Sequence, residues 1–226
     1  MKVKYHAGVK RSYGQYCAVA RALDLVGERW TLLIVRELLV GPRRYTDLLE
    51  GLPGIGTNLL ALRLRELEKA ELVQRRTLPP PGVATVYELT ELGEGLREPV
   101  LALGRWGGRF LAERRDRDER RPAWYVLSME ATFDVALAAG GDVAYELRVD
   151  GEVFHVEVRD GTASFGQSSR RVPDVILATD VDTFVLALSG EVRPGAALTS
   201  GDLELLVGER EQVERLFRMF AWPRAA

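Results

Sequence analysis

The chain has 226 residues, 46% of them hydrophobic and 28% charged, which is the composition of a folded globular protein and not of a disordered or fibrous one. One cysteine, Cys17, and two widely spaced histidines, His6 and His155, exclude an intrachain disulfide and a multi-cysteine zinc site, and the apolar runs fall far short of the ~20 residues of a membrane helix. The net charge of −2 conceals an imbalance, with 22 Lys and Arg against 16 Asp and Glu in residues 1–121 but 9 against 17 in residues 122–226, so only the first half is expected to meet a polyanion.

No apolar segment with a cleavage site follows Met1, so a cytoplasmic location without membrane association is expected. Two domains are expected, since a domain usually holds ~100–150 residues. Their boundary is placed at 121/122, where the mixed-charge run 113–121 ends at Pro122. That run is expected to be a solvated helix end acting as a linker.

Residues 17–27 predict a helix with Val19, Leu23 and Val26 on one side, closed by Gly27. Residues 29–40 are apolar almost all round and stop at Gly41-Pro42, which predicts a buried helix with Trp30 in the core. Thr46 is expected to cap a short helix over 47–51, with Asp47 in its first turn. Leu52-Pro-Gly-Ile-Gly56 then forces a turn.

A longer helix is predicted over 57–69. At 100° per residue, with Leu60 at zero, Leu64 falls near 40° and Leu67 near 340°, roughly one buried stripe. Asn58, Leu62, Arg65 and Lys69 fall between roughly 140° and 200° and face outward. Arg63, near 300° by the same geometry, suits either an intradomain ion pair or a base contact. Two helices joined by a tight turn, the second with a polar and basic outer face, predict a helix-turn-helix whose second helix enters a major groove. Residues 73–77 and 85–89 are strand-like around a proline-rich tip at 78–84, which predicts a two-stranded wing. Arg75 and Arg76 on its first strand are candidates for phosphate contact. Thr90 is expected to cap a helix reaching toward Arg117 with a kink around Pro99. Its apolar seam of Leu96, Val100, Leu103, Trp106 and Phe110 suits an intrachain core or pairing with a second copy.

The motifs Tyr16-Cys17-Ala-Val-Ala-Arg-Ala-Leu, Gly27-Glu-Arg-Trp-Thr-Leu-Leu-Ile, Gly41-Pro-Arg-Arg-Tyr-Thr-Asp-Leu, Leu52-Pro-Gly-Ile, Leu64-Arg-Glu-Leu-Glu and Tyr87-Glu-Leu-Thr-Glu-Leu-Gly together resemble the HxlR family of bacterial winged-helix regulators over about residues 13–111. The resemblance implies a mainly α, MarR-like winged helix domain and a homodimer acting on double-stranded operator DNA. The expected DNA-binding set is Arg43, Arg44, Thr57, Asn58, Leu62, Arg63, Arg65, Lys69, Arg75 and Arg76. Three positions depart from the family pattern: Ala18 stands where Pro is frequent, Gly56 where Ser usually starts the recognition helix, leaving Thr57 to cap it, and Leu62 where a polar residue is common. An apolar side chain there can still touch a thymine methyl. The resemblance also implies a sensing role for Cys17, since some relatives use the corresponding cysteine toward electrophiles or oxidants. The other reading of Cys17 is a small buried hydrophobe near the dimer interface. Arg21, one helical turn away, is the nearest positive group in sequence.

In the second half, 129–139 predicts a helix carrying Phe133 and Leu137. Strands are predicted at 145–150, 153–159, 163–166, 175–179 and 203–207, helices at 181–188 and 209–220, and turns at Asp150-Gly151 and Asp160-Gly161. These elements predict an α+β domain with an antiparallel sheet and helices on one face. There is no phosphate-binding glycine loop, metal-ligand cluster or nucleophile with a base partner, and His155 reads as structural. No enzyme activity, cofactor or metal is therefore expected.

The landmarks Leu147-Arg-Val-Asp-Gly-Glu, Val158-Arg-Asp-Gly, Pro173-Asp-Val-Ile-Leu-Ala-Thr-Asp, Leu188-Ser-Gly-Glu and Thr199-Ser-Gly-Asp-Leu-Glu-Leu resemble the sterol-carrier-protein fold over about residues 128–221. That resemblance implies a cavity for a hydrophobic small molecule, with Phe133, Phe154, Phe165, Phe184, Phe217 and Phe220 as candidate walls or else plain core. The expected function is a transcriptional regulator, as a repressor, responding to that molecule. The alternatives are sensing through Cys17 with the second domain serving dimerisation or partner binding, and a lipid carrier or enzyme with a vestigial first half.

Overall fold

The computed structural model describes residues 12–79, 84–111, 118–138, 141–167, 169 and 171–220. The chain divides into two compact units, Met1–Val100 and Leu101–Ala226. The division falls inside a helix, whereas the sequence-based boundary at 121/122 falls where the next helix begins. His6, the centre of the wing tip, most of the charged run 113–121 and the helix end expected at 139 lie outside the described residues.

Unit 1 runs α1 (Ala18–Val26), α2 (Thr31–Val40), β1 (Arg43–Arg44), α3 (Tyr45–Gly51), α4 (Thr57–Lys69), β2 (Val73–Thr77), β3 (Thr85–Leu89) and α5 (Glu91–Glu94). It ends within α6 (Arg97–Gly107). Its core is built from Ile34, Val35 and Leu38 of α2, Leu48 of α3, Leu52 and Ile55 of the turn, and Leu60, Leu64 and Leu67 of α4. Each such side chain contributes about 1.5–3 kcal/mol when fully buried.

Several local expectations are corrected. Trp30 is half-buried rather than core. It precedes α2 with a left-handed φ of 79°, and the Arg29 guanidinium carbon lies 5.3 Å from its ring centroid. Thr46 does not cap α3, because the helix begins one residue earlier, at Tyr45. Asp47 instead reaches back from the first turn and accepts a hydrogen bond from the Arg44 N–H at 2.9 Å, where the helix dipole also favours its charge. Thr57 does not cap α4. Gly56 holds that position with extended backbone and no side-chain cap.

The small sheet has the order β1-β3-β2, all antiparallel. The wing strands match the sequence expectation, while β1 was not anticipated because two residues carry no periodic signal. Thr90 does cap α5, its hydroxyl accepting from the Gly93 N–H at 3.1 Å and donating to the Glu71 carbonyl. The helix expected to kink at Pro99 breaks earlier, at Gly95 and Leu96. Pro99 falls in the first turn of α6, where the N–H it lacks has no helical acceptor to lose.

Unit 2 continues α6 through a single 3-10 turn at Gly108–Phe110. It then forms α7 (Pro122–Thr132), β4 (Val143–Val149), β5 (Glu152–Arg159), β6 (Thr162–Gly166), β7 (Val175–Thr179), α8 (Val181–Ser189), α9 (Pro194–Ser200), β8 (Leu203–Val207) and α10 (Arg210–Met219). The helix expected over 129–139 begins instead at Pro122, a residue whose fixed φ suits the first helical position, and ends at Thr132. Leu137 lies in a 3-10 turn capped by Asp134 and is exposed.

The five-stranded sheet has the order β6-β5-β4-β7-β8. It is mixed, not antiparallel: β4 and β7 run parallel, with Tyr145 opposite Val175 and Leu147 opposite Leu177. Two type I′-like turns make the β4–β5–β6 meander, with φ of 49° and 80° at Asp150 and Gly151 and 49° and 73° at Asp160 and Gly161. The chain then passes to the far side of β4, and a strand that arrives by a crossover rather than a hairpin can lie parallel to its neighbour.

Alternation puts Tyr145, Leu147, Val149, Phe154, Val156, Val158, Val175 and Leu177 on one buried face. Glu146, Arg148, Val153 and His155 take the opposite, accessible face. Helix α10 covers the buried face, where the Tyr145 hydroxyl donates to the Gln212 carbonyl at 3.3 Å. Burial pushes the Tyr145 phenol up to about 12.

Candidate nucleic-acid interface

Helix α4 carries the candidate site. Leu60, Leu64 and Leu67 are fully buried and fix the helix by one stripe. That leaves Asn58, Leu62, Arg65 and Lys69 exposed on the opposite side, as the angular arithmetic predicts, and Thr57 exposed at the helix start. The Tyr45 hydroxyl donates to the Thr57 carbonyl at 2.7 Å and braces the first turn. Since no side chain caps α4, its leading N–H groups are available to an anion such as a backbone phosphate.

The cations divide into two groups. Arg44, Arg65 and Lys69 are exposed and form no salt bridge among the described residues. Arg63 is spoken for, with one nitrogen 2.7 Å from a Glu28 carboxylate oxygen, another 2.5 Å from Glu66, and its side chain only 12% exposed. Of its two sequence readings, the geometry takes the intradomain ion pair. Arg75 lies 2.6 Å from Glu68 and 5.3 Å from the Tyr87 ring centroid, and the Glu68 carboxylate beside it raises its basicity further. Arg76 lies 2.7 Å from Glu88 across the wing. Both wing arginines remain about half exposed, so a phosphate can take over one side of either guanidinium. Arg43 is half-buried on β1, in register with Tyr87.

The acids that hold these arginines were missed by sequence reasoning. Arg63 and Glu66 are three apart on one helix and could have been paired, but Glu28 lies 35 residues away from Arg63 and carries no local signal.

A winged helix-turn-helix with an unpaired basic strip is thus in place, and comparison with known proteins gives its kinship. The model of the HxlR-like helix-turn-helix family matches residues 25–115. The HTH-type transcriptional regulator YodB of Bacillus subtilis is 39% identical over 89 residues, which is 39% of this chain and 80% of that protein. The chain belongs to the HxlR family. Further relatives are an HTH-type regulator of Synechocystis, sll1512, at 36% identity over 44% of this chain and 74% of that protein, and Rv3095 of Mycobacterium tuberculosis, at 43% over 42% and 59%. A solved structure, the reduced form of YodB from B. subtilis, is 35% identical over 45% of this chain and 100% of that one, with a TM-score of 0.38. As an HxlR-family member the chain is a DNA-binding transcriptional regulator, and the family match ends at residue 115.

Cys17 precedes α1 and is exposed in the single chain. The backbone N–H groups of Ala20 and then Val19 hold its thiol below the usual range, because a helix start favours negative charge. Arg21, the sequence-based candidate for that effect, is paired with Asp24 at 3.5 Å.

In unit 2, Phe154, Phe184, Phe217 and Phe220 are buried, and Phe133 and Phe165 are half-buried. All but Phe154 meet ring to ring in two clusters. Phe220 lies 5.5 Å from Phe133 and 5.7 Å from Phe165, and Phe184 lies 6.0 Å from Phe217. A surface cleft of about 550 Å³ is lined by Val143, Asp174, Gly208, Glu209, Glu211, Gln212 and Arg215, none of them a predicted ligand residue. Among the described residues no group of three or more His, Cys, Asp and Glu could hold a metal ion, and no helix is long and apolar enough to cross a membrane.

Proposed function

We propose that the protein is an operator-binding repressor, active as a homodimer, whose C-terminal unit takes up a hydrophobic small molecule that weakens DNA binding. The observation that carries the DNA reading is the outward strip Asn58, Leu62, Arg65 and Lys69, exposed while the opposite side of the same helix is fully buried. Dimerisation is supported in each unit separately by apolar side chains that the single chain leaves exposed. In unit 1 these are Tyr13, Tyr16, Val19 and Leu23, and in unit 2 Leu103, Trp106, Phe110 and Leu111. Two copies would set two recognition helices on half-sites ~34 Å or a multiple apart.

The effector role is supported by the sterol-carrier-protein-like order of elements and by the two clusters of phenylalanine rings. A ligand there shifts DNA affinity only by as much as it prefers one dimer geometry over another. The test is affinity for a duplex selected from a random pool, measured with and without a lipophilic extract of the producing cells. Salt-dependent binding weakened by the extract supports the proposal. Binding indifferent to the extract removes the effector, and absence of any duplex binding removes the whole.

The accessible, acid-shifted Cys17 favours a second reading, in which the switch is modification of this thiolate. Alkylation by iodoacetamide should then proceed at a lower pH than for a free thiol, and Cys17→Ser should abolish any loss of DNA binding on treatment with an electrophile. Retention of that loss in Cys17→Ser dismisses the reading.

A further inference from the structure

We infer that Leu62 is a specificity-determining residue that reads the methyl group of a thymine, one or two base pairs from an adenine read by Asn58. This rests on the groove-facing assignment of α4 above. Leu62 is 40% exposed in a strip otherwise made of Asn58, Arg65 and Lys69, whereas Leu60, Leu64 and Leu67 of the same helix are 0–1% exposed. Its exposure therefore belongs to the outer face and not to loose packing of the helix.

Base edges in the major groove offer hydrogen-bonding groups and one apolar group, the thymine C5 methyl. A leucine pressed against amino or carbonyl groups strips their water and returns no hydrogen bond, so it is repelled there. Against the methyl group both surfaces leave water together. Leucine at this position thus excludes G·C pairs and selects thymine.

Asn58 lies one helical turn earlier on the same face, and its amide suits the N6 and N7 edge of adenine. Side chains four apart on a helix have Cβ atoms ~5–6 Å apart, and successive base pairs stack ~3.4 Å apart, which gives the one- or two-step spacing. Both residues occupy the first half of α4, the part of a recognition helix that reaches base edges, and Lys69 in its last turn is left for the backbone.

The test starts from the tightest duplex that the full-length protein selects from a random pool. Each thymine is replaced singly by deoxyuridine, which deletes only the methyl group. One thymine per half-site is expected to weaken binding about fourfold when replaced, the factor for one buried carbon group. Leu62→Ala should bind the thymine and deoxyuridine duplexes alike, and Leu62→Met should keep the preference. The assignment is overturned if no replacement weakens wild-type binding more than twofold, or if Leu62→Ala keeps the full effect. If no duplex is bound in a salt-dependent way, the groove-facing reading itself falls, and this assignment with it.

Discussion

Lys69 and Arg63 lie six residues apart on α4 with the same charge, yet the structure gives them opposite fates. Lys69 is exposed in the last turn, and Arg63 is clamped between Glu28 and Glu66. Each backbone phosphate that a protein neutralises adds about 0.9 to the slope of log affinity against log salt. In a twofold complex Lys69→Gln removes two such contacts and should lower the slope by about 1.8. Between about 50 and 200 mM salt the wild-type affinity should then fall about twelvefold more than that of the variant. Arg63→Gln should leave the slope unchanged and cost stability instead, about 1 kcal/mol for an ion pair whose carboxylates are about half exposed. Fluorescence anisotropy across a salt series reads the slopes, and urea unfolding reads the stability. An unchanged slope in Lys69→Gln, or an equal drop in Arg63→Gln, refutes the division of cations on which the interface is built.

Three further outcomes follow from the packing. Gly93→Ala should destabilise unit 1 by about 1–3 kcal/mol, because a Cβ there would lie 2.0 Å from the Leu72 carbonyl oxygen; an unchanged melting temperature would contradict the close approach of α5 to the wing. Leu64→Ala should cost about 3 kcal/mol by opening a cavity behind the recognition helix, with a cost below about 1 kcal/mol in chemical unfolding inconsistent with its full burial. Asp180 accepts the Thr183 N–H at 2.8 Å at the start of α8, and that bond holds its carboxyl below the usual range. A depressed folded-state value gives stability that is present above the unfolded value and lost as pH falls through the folded one. Asp180→Ala should thus cost about 1 kcal/mol at neutral pH and progressively less in urea titrations below about pH 4, so a pH-independent cost would show that the cap bond is absent.

The elements of the recognition region were legible because each is set by local rules. The helix over 57–69 follows from leucines at helical spacing, and its outward face from the same periodicity. The wing strands follow from β-branched residues on either side of a proline-rich tip. The cap at Thr90 and the turns at Asp150-Gly151 and Asp160-Gly161 follow from residues that satisfy the backbone over three or four positions. The misreadings also have physical causes. Thr46 has the chemistry of a cap but lies inside the helix, because Asp47 secures an earlier start. The kink expected at Pro99 moved to Gly95 and Leu96, because proline is harmless in a first turn. Helix α9 was overlooked: its seven residues, Pro194–Ser200, are too few to show a period.

Sequence by itself determined the helices and strands of the recognition region, which side of α4 turns outward, and the kinship that makes the chain a DNA-binding regulator. These properties depend on spacing within a dozen residues and on side-chain chemistry. The tertiary structure alone decided that β7 lies beside β4, making the second sheet mixed, and which arginines are already paired. Alternation fixes the face a strand residue occupies but not the strand beside it. A charge 35 residues away can neutralise Arg63 only once folding has brought the two within hydrogen-bonding distance.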